Sequence, residues 1–185
     1  LIWANLSNAN LTGVDLSDLD LTYVNLSGVD LTGTILIGAN LSNANLTGVD
    51  LSGVDLFGAD LSDVDLSDVD LTGADLSGKD LTGVDLSGVD LTEANLTNVI
   101  LVNANLENAT LEYTRLLDAN LDGANLTNAD LRHALLVDAN LSNAVLMGAD
   151  LTNAILSGAI LTGANLENAV LTNAILNCVD HPICV

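Results

Sequence analysis

Aspartate is the residue type whose number and spacing in this sequence could support chemistry. Nine successive positions, at intervals of five residues from Asp50 to Asp90, are Asp, and Asp63 and Asp68 lie among them. Carboxylate oxygens suit Ca²⁺ or Mg²⁺, yet no loop in the sequence is built to wrap an ion. Three interpretations are open for these carboxylates: a solvated surface that keeps the protein soluble, a surface that binds a partner, and a cation site.

Two cysteines near the C-terminus are the second group of residues that could support chemistry, as a disulfide or as metal ligands. Cys178 and Cys184 enclose five residues, and His181 lies between them. A disulfide here closes a small loop worth roughly 2 kcal/mol if it is unstrained, whereas this spacing is not a zinc-ligand pattern. We predict the disulfide rather than a metal site. An oxidised pair would indicate the periplasm or thylakoid lumen and a reduced pair the cytoplasm.

Catalytic residues show no recognisable arrangement. His133 and His181 are 48 residues apart, and the serines recur at regular positions. The sequence contains no nucleophile elbow, phosphate-binding loop or metal signature. We therefore expect a protein that is not an enzyme and needs no cofactor.

Composition excludes several other classes. The chain has 185 residues, 25 of them acidic and 3 basic, a net charge of -22, and 49% hydrophobic residues. That apolar fraction argues against disorder, and the charge argues against binding nucleic acid or anionic membrane surfaces. No apolar run approaches the ~20 residues that span a bilayer. No signal peptide is visible, and a start at Leu1 is compatible with a leader removed earlier.

A five-residue repeat must position these side chains. Leu occupies position 1 and every fifth position through Leu176, which makes 36 consecutive matches. Ala or Val stands two residues before nearly every Leu, Asp or Asn usually stands directly before it, and Ser or Thr followed by Gly, Asn or Asp usually comes after it. Four residues depart from Ala or Val at the small position: Leu19, Thr34, Lys79 and Thr114.

A period of five fits neither an α-helix nor a straight strand. In a helix the leucines would spread around the axis, and in a strand they would alternate between faces. The pattern works if each repeat makes a short extended segment, with Leu and Ala or Val pointing inward, and then turns a corner. Gly or Asn at the third turn position suits a type II turn, because φ is positive there.

Residues 20 positions apart indicate a coil with four sides. They comprise one pair of opposite charges and two pairs of aromatic rings: Glu112 with Arg132, Trp3 with Tyr23, and Tyr113 with His133. Four sides of five residues give 20 residues per coil, so 36 repeats make nine coils. With ~4.8 Å between paired strands, the rod is expected to be about 43 Å long.

In its five-residue repeat the sequence resembles the pentapeptide-repeat family. The matching motif appears as Ala39-Asn40-Leu41-Ser42-Asn43 and as Ala74-Asp75-Leu76-Ser77-Gly78. The resemblance covers Leu1 to about Cys178 and implies an all-β fold, a right-handed parallel β-helix of quadrilateral section. We accordingly predict a β-helix over residues 1–178 and a C-terminal cap or tail over 179–185.

Two kinds of outward-facing residue recur at about the same position in successive 20-residue coils, so each kind is expected to lie on one face. On one face four carboxylates are expected to stack: Asp30, Asp50, Asp70 and Asp90. Another face carries apolar residues and is a candidate interaction surface, with drift of the repeat as the alternative explanation. Its members are Ile35, Ile37, Phe57, Leu117, Leu135, Val137, Ile155 and Ile175.

Lys79 occupies an inward position, with Ala59 and Val99 as its expected stacking neighbours. An unpaired ammonium in an apolar core is costly. We expect a local distortion that lets the amine reach water or an Asp carboxylate, with a functional lysine as the alternative.

These observations favour a non-enzymatic interaction or scaffold protein with an unknown partner. The resemblance adds an alternative, because some members are DNA mimics that bind type II topoisomerases such as gyrase. Those members tend to have Phe at the central position and often carry loops, whereas these Leu repeats look more like cyanobacterial members. Ice binding through Ser and Thr is disfavoured by the flanking Asp and Asn. We also expect weak homodimerisation through the apolar residues of the C-terminal third.

Overall fold

The chain winds into a coil that closes once every 20 residues. The structure, a computed structural model, describes residues 1–51, 54–56, 58–61, 64, 66 and 69–184. At most levels of the coil, the residue before a Leu forms a parallel β-bridge with the residue 20 positions later, as in Asn5 with Asn25 and Asn120 with Asn140. These bridges are single residues long, and within the described ranges the chain contains no helix.

Each corner is a tight turn that begins at a leucine. The N–H three residues on donates to the leucine carbonyl, as from Ala39 to Leu36 at 3.0 Å. Every described residue at the third turn position, from Trp3 to Asn173, has a positive φ. Gly13 adopts this conformation (φ 69°) without the penalty that a Cβ would bring. The predicted sign of φ in the turns is therefore confirmed.

The core is a set of stacked leucines over alanines and valines. From Leu16 to Leu161 every described leucine of the repeat is buried, and the predicted inward orientation is confirmed. Burying one leucine contributes about 1.5–3 kcal/mol, and each coil packs on its neighbours, so stability is distributed along the rod.

The polar side chains that precede the leucines stabilise the corners by hydrogen bonds to the turn, a role that the repeat pattern alone did not predict. The Oδ1 atom of Asp70 accepts the N–H of Thr72 at 2.9 Å, and Asn140 accepts that of Ser142 at 3.0 Å. This is the local side-chain bond that makes Asp and Asn favourable in turns. The outward Asp and Asn residues are thus part of the scaffold as well as of the surface.

The C-terminal segment departs from the repeat by one residue. Val179 pairs with Ile160, a separation of 19 rather than 20 residues. Cys178 and Cys184 form a disulfide, and both pack against the core together with Ile183.

Candidate interaction surfaces

The candidate apolar face consists of two separate patches. Leu135, Ile155 and Ile175 form one continuous ladder of bridges. Ile35 lies on the same face but is separated from that ladder by polar residues: Asp55, Asp75, Asn95 and Arg115. Ile37 accompanies Ile35, and both are exposed. Phe57 falls outside the described residues.

The C-terminal patch is the larger and more compact of the two. Leu117 and Val137 lie on adjacent coils beside the ladder, because Asp118 donates its N–H to the Val137 carbonyl at 3.0 Å. Ile175 is 45% exposed, whereas the other four are half-buried. We call these five residues the apolar patch; its members are Leu117, Leu135, Val137, Ile155 and Ile175.

An aromatic and charged corner borders the apolar patch. The rings of Tyr113 and His133 stack with centroids 4.6 Å apart, and Arg132 Nη2 lies 3.1 Å from Glu112 Oε2 and 2.7 Å from Asp130 Oδ2. The expected stacking of these residues, and of Trp3 on Tyr23 at 4.1 Å, is confirmed. The hydrogen bond from Arg132 holds the pKa of Asp130 below its ordinary value.

His133 is half-buried beside Tyr113. Its Nε2 atom lies 3.4 Å from the side-chain amide of Asn153 in the next coil. The ring is therefore enclosed between Tyr113 and Asn153, neighbours that only the stacking of coils provides.

The acidic face is a column of carboxylates. Asp30 pairs with Asp50 and Asp50 with Asp70, and the N–H of Leu71 donates to the main-chain carbonyl of Asp90 at 3.2 Å. Hydrogen bonds from Thr32 lower the pKa of Asp30. The column continues through Thr110 to Asp130 and Asp150. Like charges at strand spacing repel, although solvent and salt screen them.

In the C-terminal half, several asparagines that precede leucines form side-chain hydrogen bonds between neighbouring coils. The side-chain amide of Asn125 donates to Asn105 Oδ1 at 3.1 Å, and that of Asn140 donates to Asn120 Oδ1 at 3.0 Å. A carboxylate cannot donate such a bond. Where Asn replaces Asp before a leucine, hydrogen bonds therefore join neighbouring coils at positions where two carboxylates would repel each other.

Lys79 is buried, with only 6% of its surface exposed. Its Nζ atom donates to the main-chain carbonyl of Ala59 at 2.6 Å, so the expectation that the amine reaches water or a carboxylate is wrong. The reason is steric, because the inward side chain meets the neighbouring coil's backbone first. Burial lowers the pKa of Lys79, while the charges of three nearby carboxylates oppose that shift: Asp55, Asp60 and Asp75.

The described residues offer no site for metal chemistry and no membrane span. Within the described ranges, no group of three or more His, Cys, Asp or Glu is arranged to hold a metal ion. In the same part of the chain, no helix is long and apolar enough to cross a membrane.

Comparison with known proteins gives a consistent result. The sequence model of pentapeptide repeats matches the chain with eight copies, over residues 1–36, 25–63, 65–101, 90–128, 100–136, 124–163 and 149–180. No curated protein matches this sequence. Solved structures do match, and three of them are informative.

HetL, a pentapeptide repeat protein involved in heterocyst differentiation regulation from the cyanobacterium Nostoc sp. strain PCC 7120, is 34% identical. The match covers 92% of this chain and 89% of HetL, with a TM-score of 0.64. Rfr23 from the cyanobacterium Cyanothece 51142 is 37% identical over 58% of this chain and 91% of its own, with a TM-score of 0.50.

QnrB1, a plasmid-mediated fluoroquinolone resistance protein, matches at 20% identity over 86% of this chain and 81% of its own, with a TM-score of 0.54. At that identity the likeness concerns the fold alone. Proteins of this kind are right-handed quadrilateral β-helices, and the same fold applies to this chain. The fold predicted from the sequence is confirmed.

Proposed function

Because the chain belongs to the pentapeptide-repeat family, we propose that it is a non-enzymatic protein-interaction rod that binds through its apolar patch. The observation that carries this proposal is the ladder of Leu135, Ile155 and Ile175 on the outside of the coil. Apolar surface that the rod cannot bury itself favours a protein partner.

The composition of the surrounding surface supports the same site. Arg115 continues the ladder on one side of Leu135, and Tyr113, which is 50% exposed, lies at the adjoining corner. Tyr and Arg are the residue types that contribute most to binding energy at protein interfaces. The apolar patch thus has an apolar centre with an aromatic and cationic border.

The partner that we propose first is a second copy of the chain. Of the 25 acidic residues, 16 precede residue 101 and 9 follow it, so pairing through the C-terminal third keeps the most acidic segments apart. Closed two-fold pairing is the commonest arrangement of soluble oligomers. Four of the five residues of the apolar patch are half-buried, so little apolar surface is available for contact and we expect weak dimerisation.

Analytical ultracentrifugation of matched variants tests the proposal. Substituting both Leu135→Asp and Ile155→Asp should abolish self-association. The control is the pair Ile100→Asp and Ile160→Asp, which adds the same charge at exposed apolar residues of another face and should leave association intact. A wild type that is monomeric at every salt concentration would exclude the second copy as partner.

The acidic face supports a second candidate function, a DNA mimic that binds a type II topoisomerase such as gyrase. The supporting observation is the column of Asp30, Asp50 and Asp70, which are paired along the rod. A gyrase supercoiling assay tests this candidate. Inhibition by the wild type and its loss on Asp50→Asn with Asp70→Asn would support it, and absence of inhibition by the wild type would eliminate it.

A further inference from the structure

The face that carries the apolar patch has a second group of apolar side chains near the N-terminus. Ile35 is 40% exposed and Ile37 is 39% exposed. Ile35 lies in the same column of residues as Leu135, and Ile37 in the same column as Val137, because each pair is five 20-residue coils apart. At about 4.8 Å per coil, roughly 24 Å of rod separates the two groups. We call Ile35 and Ile37 the small apolar pair.

The 20-residue register continues without a shift between the two groups. On the acidic face Asp30 pairs with Asp50 and Asp50 with Asp70, and the N–H of Leu71 donates to the Asp90 carbonyl at 3.2 Å. The same column continues in bridges to the C-terminal coil. Each residue of the apolar face can therefore be assigned to a level of the rod by its number.

Between the two apolar groups, the column that contains Ile35 changes from acidic to basic. Asp55 pairs with Asp75, Asp75 with Asn95, and Asn95 with Arg115. Arg115 is exposed, and within the described ranges it forms no ion pair. Carboxylates thus follow the small apolar pair, and a guanidinium precedes the apolar patch. Read in opposite directions, the two ends of this column are complementary in charge.

We infer that the second copy in the proposed dimer binds antiparallel, with the apolar patch of each copy on the small apolar pair of the other; this inference rests on the proposed function. A two-fold axis across the rods reverses the direction of one copy and leaves each column opposite the same column of its partner. Leu135 then contacts the partner's Ile35, and Val137 contacts the partner's Ile37. Each contact occurs twice.

The same register matches the polar residues between the apolar groups. Arg115 lies opposite the partner's Asp55, and Asp75 lies opposite the partner's Asn95. The side-chain amide of Asn95 donates one N–H to Asp75 of its own chain at 3.1 Å, and its second N–H is available for the partner's carboxylate. Complementary charges of this kind fix the register of an interface.

Direct contact between two apolar patches gives a poorer match. With Leu135 opposite the partner's Ile155, Arg115 lies opposite the partner's Ile175. A cation in that position loses water without gaining a hydrogen-bond partner. In the antiparallel register that we infer, the mismatch in this column is Asp15 opposite the partner's Ile155. That pair lies at the end of the contact, where water still reaches the carboxylate.

The distribution of charge along the rod favours the same orientation. Of the 25 acidic residues, 16 precede residue 101, whereas both arginines, Arg115 and Arg132, follow it. Antiparallel copies place the more acidic half of each rod beside the less acidic half of the other. Parallel copies would place the two more acidic halves side by side, and their repulsion would be larger.

Cysteine cross-linking tests the register without changing an apolar residue. In the corner column that contains Val137, Ser17 lies opposite the partner's Ser157. The double variant Ser17→Cys with Ser157→Cys, treated with a short bismaleimide, should give a covalent dimer. In one chain the two positions are seven coils, or about 34 Å, apart, which is beyond the reach of the reagent. The native disulfide between Cys178 and Cys184 leaves no other thiol to react.

The matched control is Ser157→Cys alone, which should give no covalent dimer. A cross-linked dimer from this single variant, or none from the double variant while sedimentation shows that it dimerises, would overturn the register and leave the proposed function intact. A wild type that is monomeric at every salt concentration would overturn both.

Charge exchange tests the contact between Arg115 and the partner's Asp55. Arg115→Asp should weaken dimerisation at least about tenfold, because it places carboxylates opposite each other twice. Asp55→Arg should also weaken it, and the combined variant should restore it. Arg115 itself shows that the position before a leucine accommodates arginine.

General repulsion between acidic rods gives a different result for these variants. Asp55→Arg changes the net charge from -22 to -20, so repulsion alone would make this variant dimerise more strongly than the wild type. Stronger dimerisation of Asp55→Arg, or no recovery in the combined variant, would refute the antiparallel register.

Discussion

The ammonium of Lys79 and the carbonyl of Ala59, residues 20 positions apart, form a hydrogen bond of 2.6 Å across two neighbouring coils. It satisfies a charge that the apolar core would otherwise leave unpaired. The same bond thus allows the Lys79 ammonium to remain buried in the core.

Replacing Lys79 by Val should therefore stabilise the protein. Val removes a buried charge from the apolar core, so we expect the free energy of unfolding to rise by about 1–3 kcal/mol. Urea unfolding followed by circular dichroism measures the difference. Thr114→Val is the control, and it should give little or no gain because it removes no buried charge. A Lys79→Val protein less stable than the wild type would contradict this account.

The stability of the wild type should increase with alkaline pH. Burial lowers the pKa of Lys79 in the folded state below its ordinary value of 10.5. Between the lowered pKa and 10.5 the unfolded chain holds more protons than the folded one, so the free energy of unfolding rises with pH. Below that pH window Lys79 is charged in both the folded and the unfolded chain, and the full free-energy cost of burying its charge remains.

Unfolding curves at a series of alkaline pH values measure this effect as the difference between Lys79→Val and the wild type. The difference in the free energy of unfolding between the two proteins should become smaller as the pH rises from the lowered pKa of Lys79 to 10.5. The variant lacks the amine and so corrects for every other group that titrates there. A difference that is constant with pH would show that the amine keeps its ordinary pKa.

The disulfide should stabilise the last coil. Removing it with Cys178→Ser and Cys184→Ser should lower the free energy of unfolding by about 2 kcal/mol. The loss should be local, because Leu161 donates to the Val179 carbonyl at 3.1 Å beside the loop. Exchange of the Leu161 amide should accelerate, whereas the Leu141 amide in the preceding coil should be unaffected.

Thiol counting on unreduced protein gives an independent check. Protein from an oxidising compartment should contain no free thiol. Two free thiols in such material would exclude the bridge there.

Salt should strengthen dimerisation through the apolar patch. The net charge of -22 opposes association of two copies, and added salt screens that repulsion while leaving apolar contact intact. Sedimentation velocity at increasing NaCl should show a rising dimer fraction for the wild type and none for the Leu135→Asp, Ile155→Asp variant. A dimer that dissociates in salt would indicate ion pairs rather than the apolar patch.

Tyr113 and His133 show how far neighbours could be predicted without a structure. Once the period of five and the four-sided coil were inferred, residues 20 positions apart had to stack, and their rings do so at 4.6 Å. Glu112 with Arg132 and Trp3 with Tyr23 follow the same rule. Register in a solenoid is set by the repeat alone, so contacts between corresponding positions can be predicted from the sequence.

The sequence by itself determined the repeat, the inward leucines, the positive φ of the turns and the lateral neighbours, because each follows from a strict period of five. Only the tertiary structure decided what Lys79 binds, since a long side chain with several acceptors in reach bonds to whichever the packing leaves nearest. It also decided that Asp70 and Asn140 bond to the turn N–H groups, and that polar residues divide the apolar face. These outcomes depend on distances between coils, which no spacing along the chain specifies.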